Sequence, residues 1–229
     1  MIPAATNRLV ILAATKMLGG ICVAGIDRSA QWVRPVNPPD FAFSPSQLSE
    51  DGTVIVEPYN DVEFVVGERL NNPPETEDVT AIVSSQPHLV RTLNDGEVLA
   101  LLHQMDEHDN VAEHGADLEG WLVGIRRSLV LTRVDELLTA YRNMFNERRQ
   151  RRIVFRVGDE IMNLPCTDLR WRSITRNDND AQALEGLRRA GNIYFALGLA
   201  RPFQGHYYPM VVGVHPVPKL TVEVDYNNL

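Results

Sequence analysis

Short runs of apolar residues recur along the first half of the chain, and their spacing predicts strands. The runs cover residues 8–16, 21–27, 32–36, 61–69 and 79–83. They are rich in β-branched residues and are separated by turn signals such as Gly19-Gly20. Between the third and fourth runs, three prolines in residues 37–49 remove donors that a strand would need, so this stretch is predicted as a loop.

The second half repeats this style of pattern. We predict strands at residues 128–134, 153–157, 160–164, 192–200 and 209–215. Helices are predicted from Asn94, which has Glu97 at the capping-box spacing, and over residues 181–190. Residues 137–149 are interpreted as a short helix or a long basic loop.

Strands outnumber helices in both halves, and strands and helices do not alternate as they do in a doubly wound sheet. The pattern therefore predicts a mainly β protein with a few helices (α+β), built as two small β-barrels in tandem. The polar, acidic stretch 106–120 is the best candidate for their boundary. We expect a first module over residues 1–115 and a second over residues 116–229.

Both ends of the chain resemble a known family. The sequences RLVILAATKMLGGICVAGIDRSAQWVRPV and GNIYFALGLARPFQGHYYPMVVGVHPVP are similar to those of the bacterial dual OB-containing domain. The resemblance implies two OB-like modules and a nucleic-acid-binding role, in prokaryotic systems associated with defence or mobile elements. It implies no catalytic residues.

Charge is unevenly distributed between these modules. The chain carries 22 basic and 30 acidic side chains, a net charge of −8. Residues 1–115 hold six basic and 17 acidic side chains, a net −11, whereas residues 116–229 hold 16 and 13, a net +3. Any phosphate-binding surface is therefore expected on the second module or where the modules meet.

In the first module, an OB barrel would present the hairpin region that binds oligonucleotides. Four side chains in this region could contact a strand: Lys16, Arg28, Trp32 and Arg34. Trp32 and Arg34 are two residues apart and share one face of a strand, which could form a stacking platform. Alternatively, Trp32 lies in the core and Arg34 covers it with its alkyl chain.

In the second module, arginines flank an aromatic residue again. If residues 170–172 are extended, Arg170 and Arg172 are exposed on one face and Trp171 lies in the core. The strongest basic signal is the NERRQRR sequence. The further candidates for contacts with nucleic acid are Arg148, Arg149, Arg151, Arg152, Arg176 and Arg201. The NERRQRR arginines could neutralise phosphates, or they could instead dock an acidic protein surface.

Other chemistries lack support in the sequence. His103, His108 and His114 are spaced by five and six residues, which does not place two of them on one helical face as a zinc motif requires, and a solvated acidic linker explains them. The two cysteines, Cys22 and Cys166, show no redox or zinc spacing. We expect neither metal nor cofactor, no membrane association and a cytoplasmic protein.

These observations predict a non-catalytic protein that binds single-stranded DNA or RNA, or that serves as an accessory subunit in a nucleic-acid-processing system. We expect protein partner subunits as well. The alternative is a protein–protein adaptor whose acidic first half and basic middle each dock a partner without touching nucleic acid.

Overall fold

In a computed structural model that describes residues 5–17, 20–39, 41–145, 148–177 and 179–226, the chain divides into two units. The first unit comprises Met1–Asn94, Arg126–Ser128 and Asp225–Leu229, and the second comprises Asp95–Ile125 and Leu129–Val224. The helices over residues 95–115 thus cluster with the second unit. The boundary after residue 115 stays a prediction.

The first unit is built from strands and one 3₁₀ turn, Pro45–Leu48. The strands are β1 (Ala5–Met17), β2 (Gly20–Ile26), β3 (Trp32–Val36), β4 (Ser49–Glu50), β5 (Thr53–Val54), β6 (Asn60–Arg69), β7 (Asp78–Ala81) and β8 (His88–Thr92). All five strands predicted for this half are present, with ends that differ by a few residues.

Five of these strands close into a barrel in the order β1-β2-β3-β7-β6, and β6 returns to pair with β1. Only the β3–β7 pairing in this ring is parallel. Strand β1 reaches both neighbours because a register shift between Ile11 and Ala13 lets it bend. A Cβ at Gly25 would lie 2.5 Å from the carbonyl oxygen of Val10, so this close approach of β1 and β2 requires glycine.

The second unit carries the helices and a second set of strands. The helices are α1 (Asp95–Met105), α2 (His108–His114), α3 (Leu118–Gly124), α4 (Leu169–Ile174) and α5 (Asp180–Arg188), with a 3₁₀ turn at Gly115–Asp117. The strands are β9 (Leu129–Arg133), β10 (Glu136–Phe145), β11 (Arg148–Val157), β12 (Glu160–Pro165), β13 (Asn192–Leu199) and β14 (Pro209–Val217).

These strands pair in the same order as the strands of the first barrel. Strands β9 and β10 act as one bent first strand, since β9 pairs with β13 and β10 pairs with β11. Strand β12 pairs with β11, and just beyond it Cys166 forms a parallel bridge to Val211 of β14, which pairs with β13. Helices α4 and α5 lie between β12 and β13 in the chain. The predicted mainly β fold with OB-like barrels is confirmed.

Apolar side chains of the second unit fill its barrel. Phe155 and Phe195 meet edge to face at 4.8 Å in the centre of the core. Trp171 of α4 and Leu187 of α5 pack into the same cluster. No helix within the described ranges is long and apolar enough to span a membrane.

Three local predictions are wrong. Residues 137–145 are strand, not helix or loop, because they pair with β11 as part of β10, and of the rest of this range residues 146–147 lie outside the described residues while Arg148 and Arg149 begin β11. Residues 170–172 are helical, because Asp168 accepts a hydrogen bond from the Trp171 backbone N–H at 2.7 Å and begins α4. The acidic stretch 106–120 is largely helical and not a solvated linker, because Val111 and Leu118 are buried.

Candidate nucleic-acid interface

The hairpin of the first barrel places its aromatic and basic pair in the core. Trp32 is 5% exposed and Arg34 is 7% exposed. The Arg34 Nε donates to Asp78 Oδ1 at 2.5 Å, and Arg34 Nη2 lies 3.9 Å from Glu75 Oε1. Burial alone would lower the pKa of Arg34, but Asp78 and the other nearby acidic groups raise it above its ordinary value. The geometry matches the core alternative, since neither side chain offers a surface to a strand.

The other two candidates of the first barrel do not lie together. Lys16 is exposed near the β1–β2 turn, where it pairs with Ile21. Arg28 is exposed beyond the opposite end of β2, where it borders a shallow cleft of about 350 Å³ with Arg8 and Asp61. The structure therefore brings no basic surface together from these four candidates.

The second barrel presents a polar outward face on β10, β11 and β12. Along β11, Ile153, Phe155 and Val157 are buried, and the alternate residues Arg152 and Arg156 are partly exposed. Strands β11 and β12 are the second and third of the ring, the pair that OB barrels use to bind oligonucleotides. We name this surface the outward face and define it by Tyr141, Arg152, Val154, Arg156, Ile161 and Asn163.

Three side chains on the outward face are joined by hydrogen bonds. Tyr141 lies opposite Arg152 in the β10–β11 register. The Arg152 Nε donates to Asn163 Oδ1 at 2.8 Å, and Asn163 Nδ2 donates to the Tyr141 hydroxyl at 2.8 Å. The network fixes an aromatic ring, a guanidinium group and an amide side by side. Next to them Ile161 is 58% exposed, an unusual solvent exposure for an isoleucine on a strand.

A second group of arginines gathers around Thr175, at the end of α4. Arg142 and Arg151 are register partners on β10 and β11. Arg151 Nε donates to Thr175 Oγ1 at 2.9 Å, and Arg142 Nη2 donates to the Thr175 carbonyl oxygen. Arg172, one turn earlier on α4, lies close enough to both arginines for like-charge repulsion. We name Arg142, Arg151 and Arg172 the arginine cluster.

The remaining basic candidates occupy varied positions. Arg149 is exposed on β11, and the side chain of Arg148 lies outside the described residues. Arg170 donates from Nη2 to the Val214 carbonyl at 2.8 Å, a contact that holds α4 on β14. Arg176 is exposed after α4, and Arg201 is half-buried where the β13–β14 loop begins.

The β13–β14 loop carries exposed aromatic rings. Phe203 is 55% exposed and Tyr208 is 42% exposed. The loop turns tightly at Gln204 and Gly205, both with positive φ, and the Tyr207 backbone N–H donates to Glu119 Oε1 at 2.8 Å. The same glutamate lines a cleft of about 340 Å³ with Ile161 and Asn163, so the loop lies near the outward face.

The histidines of the acidic stretch have structural contacts. His108 Nε2 lies 2.7 Å from Asp135 Oδ2, and His114 stacks on Trp121 at 5.3 Å. Within the described residues, no three histidine, cysteine or acidic side chains come close enough to hold a metal ion.

Sequence reasoning missed Tyr141, Arg142, Asn163 and Thr175. The signal for the first two was the alternation within ELLTAYRNMF, which fits a strand as well as a helix. Asn163 was within a predicted strand, but its partners become visible only when the register is known. No local pattern marks Thr175.

Charge looks different when it is counted by structural unit. The first unit carries eight basic and 12 acidic residues and the second carries 14 and 18, so each has a net charge of −4. Within the second unit, residues 95–125 hold eight acidic and no basic side chains, and residues 129–224 hold 14 basic and ten acidic ones. The acidic charge thus belongs largely to the helical segment, and the barrel strands with α4 and α5 are net positive.

Both a family model and solved structures match most of the chain. The sequence model of a family described as "Dual OB-containing domain" matches residues 7–214. No curated protein matches the chain. A solved structure titled "Crystal structure of the tetrameric p202 HIN2" aligns with 10% identity and a TM-score of 0.32, over 94% of this chain and 95% of that one.

Proposed function

Because the chain belongs to the dual OB-containing domain family, we propose that it binds single-stranded nucleic acid on the outward face of its second barrel. The observation that carries this proposal is the hydrogen-bonded group of Tyr141, Arg152 and Asn163 on strands β10 to β12. These side chains combine the two features of a single-strand site, a ring for stacking and a cation for the backbone.

The preference for a single strand follows from the ring. A base stacks on Tyr141 only if its own face is free, which is the case in an unpaired strand and not in a duplex. Arg152 lies opposite the ring and keeps N–H donors for a neighbouring phosphate beyond those it gives to Gln150 and Asn163, while Asn163 keeps a second amide N–H for a base edge. Exposed Ile161 extends the apolar surface along β12.

We also propose that the protein acts by binding and not by catalysis. The side chains that define the outward face are a tyrosine, two arginines, an amide and two aliphatic residues, and they include no histidine, carboxylate or cysteine. General acid–base chemistry needs such a group within hydrogen-bond reach of the substrate. A binding protein of this type suits an accessory subunit of a nucleic-acid-processing system.

Fluorescence anisotropy with labelled oligothymidine and oligouridine of about 12 nucleotides tests the proposal, because one OB fold covers about 4–16 nucleotides. We expect saturable binding that weakens as salt rises. Replacing Arg152 by alanine should flatten the slope of log K against log salt by about 0.7, the value for one phosphate contact to a single strand. Tyr141→Ala should weaken binding about tenfold or more without changing the slope.

The matched control is Arg189→Ala, which removes the same charge from an exposed position after α5. It should leave both the affinity and the slope close to those of the wild type. Equal effects of Arg152→Ala and Arg189→Ala would mean that only overall charge matters, and the outward face would not be the site. Absence of binding even at low salt would contradict direct binding and favour the adaptor alternative.

A further inference from the structure

The arginine cluster carries a charge that the protein itself leaves uncompensated. Arg142 is paired with Asp180, whose Oδ2 accepts from Nε at 2.8 Å. Arg151 donates to a neutral hydroxyl, and among the described residues neither Arg151 nor Arg172 forms an ion pair with a carboxylate. Cys166 lies near both, but burial raises the pKa of its thiol well above the ordinary value, so it is neutral at pH 7.

Holding these groups together is unfavourable in the absence of an anion. Burial lowers the pKa of Arg151, and the nearby guanidinium groups of Arg172 and Arg142 lower it further, although the single carboxylate of Asp180 acts in the opposite direction. Burial also lowers the pKa of Arg172, and the charge of Arg142 lowers it further. Like charges that are kept half-buried and close, without enough counter-charge, are typical of a site whose stabilising partner is a ligand.

A cleft lies beside one member of the cluster, Arg142. This cleft of about 480 Å³ is lined by Arg142, Arg149 and Asp180 together with Tyr141 and Asn143. This volume is within the range of small-ligand sites. Tyr141 belongs to the outward face, and Arg142 is the member of the arginine cluster that lines this cleft. Thr175 and Asp180 both contact Arg142, so protein covers one side of the cluster.

We propose that the arginine cluster binds a phosphate monoester, and that its natural source is the phosphorylated end of a strand bound on the outward face. Two uncompensated guanidinium groups match the charge of a terminal phosphate, about −1.5 to −2 at pH 7, better than the single charge of an internal phosphodiester. Arginine donors arranged as forks suit its several oxygens. The choice of a strand end as the source rests on the proposed function, whereas the phosphate site itself does not.

Three oligothymidines of identical sequence and internal label test the strand end, carrying a 5′-phosphate, a 3′-phosphate or hydroxyl groups at both ends. We expect one phosphorylated form to bind the wild type about tenfold tighter than the hydroxyl form. Arg172→Gln should abolish this preference and leave the affinity for the hydroxyl form unchanged. Arg152→Ala should weaken all three by the same factor, and Arg189→Gln should change none of them.

A second experiment tests the phosphate site without a nucleic acid strand. Inorganic phosphate and a nucleoside monophosphate should each raise the melting temperature of the wild type, and this increase should disappear in Arg172→Gln. Arg151→Gln serves as a second variant, so that misfolding of one does not decide the outcome. Circular dichroism of both variants checks their fold.

The outcomes separate the two proposals. If oligonucleotides fail to bind but phosphate stabilises the wild type and not the variants, the phosphate site is correct and strand binding is wrong. If oligonucleotides bind without preference for either phosphorylated end and phosphate has no effect on melting, the phosphate proposal is overturned and strand binding remains. A preference that persists in both variants would place the end-binding site elsewhere and would also overturn it.

Discussion

In the first barrel, Arg34 on β3 lies beside Asp78 on the parallel strand β7, whereas in the second barrel the segment that leads into β14 contains no acidic residue. Glu75, Glu77 and Asp78 precede or begin β7 and are all buried. The matching segment of the second barrel, residues 201–210, reads RPFQGHYYPM and contains no carboxylate. The segment before β7 places carboxylates in the interior of the first barrel, and the segment before β14 places aromatic rings on the surface of the second.

This difference shows how one fold serves two purposes. The basic residue in the first barrel is used internally, because a buried guanidinium must be paired. The second barrel keeps its basic groups half-exposed and partly uncompensated, and these are the conditions under which they can act on a ligand. The two barrels share one strand order, so strand order does not show which arginines are used internally. The positions of the carboxylates do.

The largest effect is expected from breaking the buried pair of the first barrel. Asp78→Ala leaves the Arg34 guanidinium buried beside Glu75 without its closest partner, and we expect a loss of about 3 kcal/mol or more in the free energy of unfolding. Urea denaturation followed by circular dichroism measures it. Glu68→Ala, which removes an exposed acidic side chain of β6, is the control and should change stability little. A loss below about 1 kcal/mol for Asp78→Ala would show that Arg34 does not depend on this pairing.

A smaller, pH-dependent effect is expected from an ion pair of the second unit that is partly exposed. Burial disfavours the charged form of His108, but hydrogen bonds to Asp135 and Asp109 raise its pKa above the ordinary value. Burial likewise disfavours charged Asp135, yet His108 and the Gly158 backbone N–H lower its pKa. The pair is therefore ionic between the lowered pKa of Asp135 and the raised pKa of His108.

The sign of the pH dependence follows from the raised pKa. The contribution of His108 is complete below its unfolded pKa of about 6.5 and is lost as the pH rises through its folded value. Thermal melts should show His108→Gln destabilised at about pH 6 by less than about 1 kcal/mol, or up to about 3 °C, and by less at about pH 8.5. A variant equally destabilised at both pH values would indicate lost packing instead.

The smallest effect has the opposite sign. Arg172→Gln relieves like-charge repulsion in the arginine cluster, so in phosphate-free buffer we expect the variant to be slightly more stable than the wild type, by about 0.3 kcal/mol. Urea denaturation in a buffer without multivalent anions measures the change. Destabilisation by more than about 1 kcal/mol would mean that Arg172 supports the fold, as Arg34 does, and the contrast between the barrels would not hold there.

Much of the fold could be predicted because the apolar runs and turn residues in the sequence agreed with the way the strands pair. The apolar runs that form β1, β2 and β3 are bounded by turn residues, and the ends of the predicted strands lie within a few residues of the observed ones. Strand β10 could not be identified in this way. Its polar alternate positions face outward, and its strand conformation is decided by the partner β11, which lies beyond it in the sequence.

The candidate site was predicted only in part, for a related reason. Composition located the arginines of β11, but arginines in a sequence do not show which of them have carboxylate partners. Arg34 finds Asp78 across 44 positions of sequence, and Arg142 finds Asp180 across 38. The opposed charges of the two sequence halves were also a consequence of where the chain was divided, since the acidic helices α1 to α3 cluster with the basic strands.

The hydroxyl group of Thr175 constrains how this protein and its relatives can vary. Thr175 Oγ1 accepts from Arg151 and donates its only proton to the Trp171 carbonyl oxygen at 2.7 Å. Serine could make both bonds, but valine, with the same shape, could make neither and would leave the half-buried guanidinium without an acceptor. Positions 151 and 175 should therefore covary across the family, with a hydroxyl residue wherever the arginine is kept and an aliphatic residue tolerated only where it is lost.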